Sequence, residues 1–451
     1  MKRIMIAGTN SGCGKTTITC AVLQALVNRG YNVSSFKCGP DYIDPMFHSK
    51  IIGAKSRNLD RWFCNKDTVN YLLHKNSGDI SVIEGVMGFY DGANDKASSC
   101  HVALDTGTPV VIVINCKGMS MSIGAAMKGF LTFRKPNNIA GFIFNHLPES
   151  LIDMVKNLCS DMKTEYLGRF PDCTYCKIES RHLGLVTANE INGLKEKMQR
   201  LAETAEKNIL IDRIIDVSEN AVTIDYVKTL VCPEFISKSI RIAVAYDKAF
   251  CFYYEDNLDM LREMGCEIVK FSPLSDHKLP NNISGLIIGG GYPELYAEKL
   301  SENKSILEDI RCKISDGLPT IAECGGFMYL HKTLEGNDEN DYNMVGAIDG
   351  RAYKTDRLQR FGYIVLTALS DNMLCGKGLS ISAHEFHYWD STYCGSDFIA
   401  EKISGRVNYN CIHASDSLYA GFPHLYFYAN SQTAITFVKK CDEYRGENEK
   451  S

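Results

Sequence analysis

At 451 residues the chain is longer than one hydrophobic core usually organises, so two or three domains are expected. Hydrophobic residues make up 45% and charged residues 23%, a globular balance that excludes disordered and fibrous classes. A formal charge of -5 gives no general attraction to nucleic acid or anionic lipid, so neither partner is expected and any anion binding must be local.

The opening MKRIMIAGTNSGCGKTT fails as a signal peptide, because its apolar run is short and breaks into glycines and a lysine. No stretch approaches the roughly 18 apolar residues of a membrane span, and a cytoplasmic location is expected. In a reducing compartment the 18 cysteines should be thiols. Cys173 and Cys176 form a single C-x-x-C with no second pair at zinc spacing, and read as a loop with two thiols.

In chain order, RIMIAG reads as a strand entering a glycine-rich loop, and TTITCAVLQALVNRG follows with apolar residues at helical spacing. YNVSSFKC is the next strand, which completes a β-loop-α-β unit of a parallel sheet. ISVIEG, PVVIVINC and IAGFIFNHL have the continuous apolar character of buried parallel strands. Residues 1–195 are therefore expected to form one doubly wound α/β domain. The charged, helical-looking GLKEKMQRLAETAEKNILIDRIIDVSEN marks a change of pattern, and 196–238 reads as a linking region. A second strand-helix series runs from IRIAVAYD through SGLIIGGGYPELYAEKL to GLPTIAECGG, so 239–451 is expected to be a second, mostly parallel α/β domain. RFGYIVLTAL and SLYAGFPHLYFYAN alternate, and suggest antiparallel additions to it.

The loop from Gly8 through Gly12 and Gly14 to Lys15, Thr16 and Thr17 sits between the first strand and the first helix, where backbone N-H groups favour phosphate oxygens. Lys15 would neutralise phosphate charge, and the Thr16 hydroxyl would take a place on Mg²⁺. Five residues rather than four separate Gly8 from Gly14, a departure from the usual spacing. Further oxygen ligands are expected from Asp41 and Glu84, which follow later strands at the edge where ligands collect. Asp41 and Asp44 flank prolines and also suit turn chemistry. Lys37 could bridge a γ-phosphate and an anionic substrate. Asn145, ending IAGFIFN, is a candidate for reading adenine, or a turn former.

GTNSGCGKTT, FKCGPDYIDPMFH, VIEGVMGFYDG and ESRHLGLV (179–186) together resemble the ATP domain of the cobyrinic acid a,c-diamide synthase family, itself similar to dethiobiotin synthetase, which shares the five-residue loop. The resemblance implies ATP and Mg²⁺ and the phosphorylation of a substrate carboxylate. A carboxylate is a poor electrophile, whereas an acyl phosphate carries a leaving group that ammonia can displace.

In the second half, Ala322-Glu323-Cys324-Gly325-Gly326 is close to the nucleophile elbow G-x-C-x-G of class I glutamine amidotransferases, with alanine for the first glycine. Gly289, Gly290 and Gly291 follow a strand upstream; Gly290 and Gly291 are the candidate oxyanion donors. A cysteine nucleophile calls for a histidine base, and His384, His387, His413 and His424 are near in sequence. AYDKAFCFYYEDNL, GGGYPELYA, AECGGFMYL and HEFHYWD resemble the amidotransferase half of the same family. That resemblance makes Cys324 the glutamine-attacking thiolate and places the base at His424, in AGFPHLYF. The usual glutamate two residues after the histidine is here Tyr426, which leaves open what fixes the imidazole tautomer. His384 and His387 are kept for structure or substrate contact. The implied partners are glutamine and a corrinoid polycarboxylate, cobyrinic acid, amidated at its a and c carboxylates, with Tyr42 and Asp44 as candidates for holding it; a homodimer is compatible with the sequence. The alternatives are the same chemistry on hydrogenobyrinic acid or nickel sirohydrochlorin, or a P-loop switch ATPase with an inert amidotransferase-like module.

Overall fold

Seven apolar runs of the first half pair side by side: β1 (Lys2–Gly8), β2 (Val33–Cys38), β3 (Lys55–Leu59), β4 (Ile80–Glu84), β5 (Val110–Asn115), β6 (Ile139–Asn145) and β7 (Glu165–Phe170). The computed structural model describes residues 1–93, 97–172, 193–226, 240–403, 405 and 407–448; Cys173, Cys176 and the ESRHLGLV segment lie outside them. Contacts divide the chain into two units, 1–229 and 230–451. In the first, the strand order is β3-β2-β4-β1-β5-β6-β7 with every pairing parallel. The central strands carry apolar side chains on both faces, and Ile4, Ile6, Val82 and Val111 are fully buried, as a sheet covered by helices requires.

One covering helix, α1 (Lys15–Asn28), buries Ile18, Val22 and Leu26. Packed with it in the same core are Met198, Leu201, Ala202 and Ala205 of the helix Leu194–Asn208, and Ile214 of the helix Ile211–Glu219. The stretch read from sequence as the start of a linking region thus contributes two helices to the first unit. Its charges lie on one face and its apolar residues recur on the other, so a high charge content hid an amphipathic pattern. Because all seven strands are parallel, β1, β2, β4 and β6 end at one edge. Adjacent register sets Lys37 beside Glu84 and Ile6 on that residue's other flank.

The second unit holds a six-stranded sheet ordered Cys266–Phe271, Ile240–Ala245, Gly285–Ile288, Thr320–Glu323, Leu418–Gly421, His413–Ala414. All its pairings are parallel except the last. A five-stranded antiparallel sheet contains Arg360–Ala368, in line with the alternation of RFGYIVLTAL, and ends on His424–Leu425. SLYAG meets the expectation on one flank only: Leu418–Gly421 pairs antiparallel with His413–Ala414 but joins the main sheet parallel to Thr320–Glu323. Phe422 and Pro423 then break the strand, so one alternating run serves two sheets. Among the described residues no helix is long and apolar enough to cross a membrane.

Candidate active sites

In the first unit the loop after β1 turns through Gly12 (φ 79°) and Gly14 (φ 93°), both in the left-handed region that favours glycine. A side chain at Gly14 would also place Cβ 2.1 Å from Asn145 Nδ2. That amide, at the end of β6, donates to the Cys13 carbonyl at 2.9 Å. Asn145 therefore props the loop through one N–H of its amide, and the second N–H is the one left for a base. Cys13 points inward, and a Cβ on Gly8 would lie 2.3 Å from its Sγ, so the lengthened loop is filled from within by its own cysteine.

Glu84 gathers the remaining groups. Its Oε1 accepts from Thr16 Oγ1 at 2.6 Å and from Lys37 Nζ at 2.8 Å, with Lys15 Nζ 3.8 Å away. Lys37 also pairs with Asp44 and stands 4.0 Å from Asp41 Oδ2. Burial opposes its charge, but the three carboxylates hold it well above an ordinary lysine. Burial likewise works against ionisation of Asp44, yet the Lys37 ammonium keeps that carboxyl low. Asp41 is pushed up to about 7 by burial and by the Asp44 charge. Its Oδ1 accepts from Ile43 N at 2.8 Å, so the expected turn chemistry is present too. Tyr42 leads into the short helix Ile43–Phe47, next to Asp44, and Thr17 lies in the first turn of α1.

Glu84 Oε2 is buried with no hydrogen-bond partner, 3.6 Å from His48 Nε2. His48 is braced by Ser35 Oγ at 2.7 Å from Nδ1, and burial lowers its pKa so that it stays neutral. An orphaned carboxylate oxygen beside a threonine hydroxyl at a phosphate-type loop is a donor set that fits Mg²⁺. Among the described residues no cluster of three His, Cys, Asp or Glu side chains forms a metal site by itself. The arrangement thus suits a metal held partly by phosphate and water oxygens. His48 and Ser35 were missed in the sequence, where FHS gave no signal beyond its nearness to Asp41 and Asp44.

In the second unit, Cys324 stands between the strand Thr320–Glu323 and the helix Gly325–Leu330 with φ 49° and ψ −104°. Such a backbone costs on the order of 1–3 kcal/mol for a residue with a side chain, and persists only where the surroundings fix it. They do so here. Cys324 N donates to Gly421 O at 2.8 Å, and its carbonyl accepts from Met328 N at 2.9 Å. A Cβ on Gly326 would lie 2.0 Å from Ile288 O, and one on Gly325 would lie 2.9 Å from Pro293 Cδ and 3.1 Å from Gly291 N. Ala322, where the related motif has glycine, is an ordinary strand residue paired with Ile288 and Ala420, so no glycine conformation is required.

The triple glycine approaches the same point. Gly289 N donates to Tyr253 OH at 2.9 Å. A Cβ on Gly290 would lie 2.7 Å from His424 Cε1, and one on Gly291 would lie 2.0 Å from Ala249 O. His424 is buried, with Glu323 Oε2 3.4 Å from its Nδ1 and Cys324 as its other interacting neighbour. Burial opposes its protonation, but those two partners raise its pKa to about 10.

The other histidines are accounted for elsewhere. His387 stacks on Phe422 at 3.9 Å and meets the Trp389 carbonyl through Nδ1 at 2.6 Å. His413 Nε2 meets the Tyr393 carbonyl at 2.9 Å. His384 faces His424 across paired strands, and burial together with that neighbour depresses its pKa to about 3. Tyr426 donates to Asp256 Oδ2 at 3.1 Å.

A P-loop-type turn in one unit and a cysteine elbow with its histidine in the other define a nucleotide-binding protein joined to a glutamine amidotransferase. Family models agree with this class: residues 4–186 match the CobQ/CobB/MinD/ParA nucleotide binding domain, and residues 241–431 match the CobB/CobQ-like glutamine amidotransferase domain. The chain is 39% identical to the cobyrinate a,c-diamide synthase of Clostridium tetani, covering 98% of this chain and 100% of that one. It is also 39% identical to the enzyme of that name from Thermoplasma volcanium, with 99% of each covered. The chain belongs to the cobyrinate a,c-diamide synthase family.

Proposed function

We propose that the chain is an ATP-dependent, glutamine-hydrolysing ligase that converts the a and c carboxylates of cobyrinic acid to carboxamides. The observation that carries this reading is the Cys324–His424 pair at a strained elbow, with Gly290 pressed on the imidazole. His424, raised to about 10, already holds the proton of the pair, and Cys324 attacks the side-chain carbonyl carbon of glutamine as the thiolate. N-H groups of the short Gly290–Gly291 strand and of Gly325, the residue after the nucleophile, receive the oxyanion. His424 returns the proton to the departing nitrogen, ammonia leaves, and water cleaves the thioester to release glutamate.

In the first unit the γ-phosphoryl group of ATP goes to a substrate carboxylate oxygen and ADP departs. Ammonia then attacks the acyl carbon and expels phosphate, leaving the carboxamide. Gly12, Gly14 and Lys15 hold the phosphates, with Thr17 in the first helical turn beside them. Thr16 and Glu84 would hold Mg²⁺, with Asp41 as a further ligand; when bound, the metal neutralises charge shared by the β- and γ-phosphates. Lys37 gives one N–H to Asp44 and one to Glu84 and keeps a third for a γ-phosphate oxygen. Asp44, with Tyr42 two residues before it, is the candidate for holding the substrate.

Two substitutions test the scheme. Cys324→Ser should abolish glutamine-dependent amidation and leave amidation with free ammonium intact; loss of both would mean that the thiol serves another purpose. Lys15→Ala should remove both activities, and ammonium-dependent synthesis surviving in that variant would contradict activation before amidation.

A further inference from the structure

We infer that Glu323 is the positioning residue of the glutaminase, holding the His424 imidazole from behind in the place that amidotransferases usually give to a glutamate two residues after the histidine. The inference rests on the reading of Cys324 and His424 as nucleophile and base. The position two residues on is Tyr426, whose hydroxyl goes to Asp256. The carboxylate comes instead from the neighbouring strand. Glu323 pairs in register with Gly421, three residues before His424, and its Oε2 stands 3.4 Å from His424 Nδ1. Its Oε1 accepts from Leu425 N at 3.1 Å. One carboxylate therefore stands against the ring and holds the backbone that carries it, with its side chain only 13% exposed.

Consecutive residues of a regular strand point to opposite faces. Glu323 and Cys324 both reach His424 because the left-handed turn at Cys324 swings the thiol back towards the ring. With Nδ1-H directed at Glu323, Nε2 is the nitrogen left to hold the proton taken from the thiol and to pass it to the departing amine. The other titratable groups around the ring are His384, His387 and Glu385, whose charges all interact with His424. Glu385 is engaged by the Tyr409 hydroxyl. Tyr253 and Tyr419 lie near Glu323 itself.

Glu323→Gln is the test, since its amide oxygen can still accept from Leu425 N while its NH₂ group presents a donor to Nδ1 and disfavours the working tautomer. Glutamate release should fall by ~10²–10⁴ in kcat, the scale on which loss of a tautomer-fixing carboxylate acts elsewhere, with KM for glutamine little changed. Alkylation of Cys324 by iodoacetamide should need a higher pH in the variant, while ammonium-dependent amidation should match wild type. Glu323→Asp should recover part of the lost kcat. The inference is overturned if Glu323→Gln releases glutamate within about threefold of wild type, or if both nitrogen sources fail together with a lowered melting temperature. Failure of the underlying reading would look different: Cys324→Ser would continue to release glutamate.

Discussion

Cys324 and His424 owe their behaviour to neighbours that leave them little freedom. Burial works against a charge on His424, but Cys324 and Glu323 raise it to about 10, against an ordinary histidine near 6.5. The folded state thus keeps a proton that the unfolded chain gives up between those values. The stabilisation is complete below about pH 6.5 and is lost as pH climbs through about 10. Urea unfolding of wild type and His424→Gln over that window should show their stability difference shrinking with rising pH. A difference that is flat or grows would contradict the pairing. Residues of this kind were partly legible: a cysteine followed by two glycines signals an elbow, and the histidine followed from resemblance. Glu323 was written beside the nucleophile all along, yet its partner is 101 positions away, and only the pairing of Thr320–Glu323 with Leu418–Gly421 brings them together.

At the level of elements, continuous apolar runs disclosed the parallel strands of the first unit because burial on both faces leaves no polar side to encode. The helices at 194–219 were hidden by their charge. Leu201 is fully buried against α1, the helix that starts at Lys15 and Thr16. Leu201→Ala should therefore cost about 2–5 kcal/mol, as for other large-to-small changes in a closed core, and urea midpoints would measure it. A change under about 0.5 kcal/mol, typical of a surface position, would return this stretch to the status of a connection. Leu418–Gly421 was misread on one flank for another reason. A short alternation reports which side chains are buried but not the direction of the neighbouring strand, and the turn at Phe422-Pro423 passes the chain from one sheet to the next.

Over the whole molecule, one chain carries a phosphate loop, whose Asn145 prop and buried Glu84 ready it for a charged ligand, and an elbow that frees nitrogen from an amide. The chemistry of each half was legible because both motifs encode backbone shape through glycines that cannot be replaced, as Gly14 and Gly326 illustrate. Asn145 was less legible, since a terminal asparagine can face a base or a loop with equal ease until β6 is laid beside β5. The most direct measurement is mass spectrometry of the corrinoid formed from cobyrinic acid, ATP and Mg²⁺ with glutamine labelled with heavy nitrogen at its amide. The wild-type chain should deliver two labelled carboxamides per molecule, and Cys324→Ser should deliver none from glutamine while still amidating with ammonium. Unlabelled product from the wild type, or labelled product from Cys324→Ser, would contradict the account.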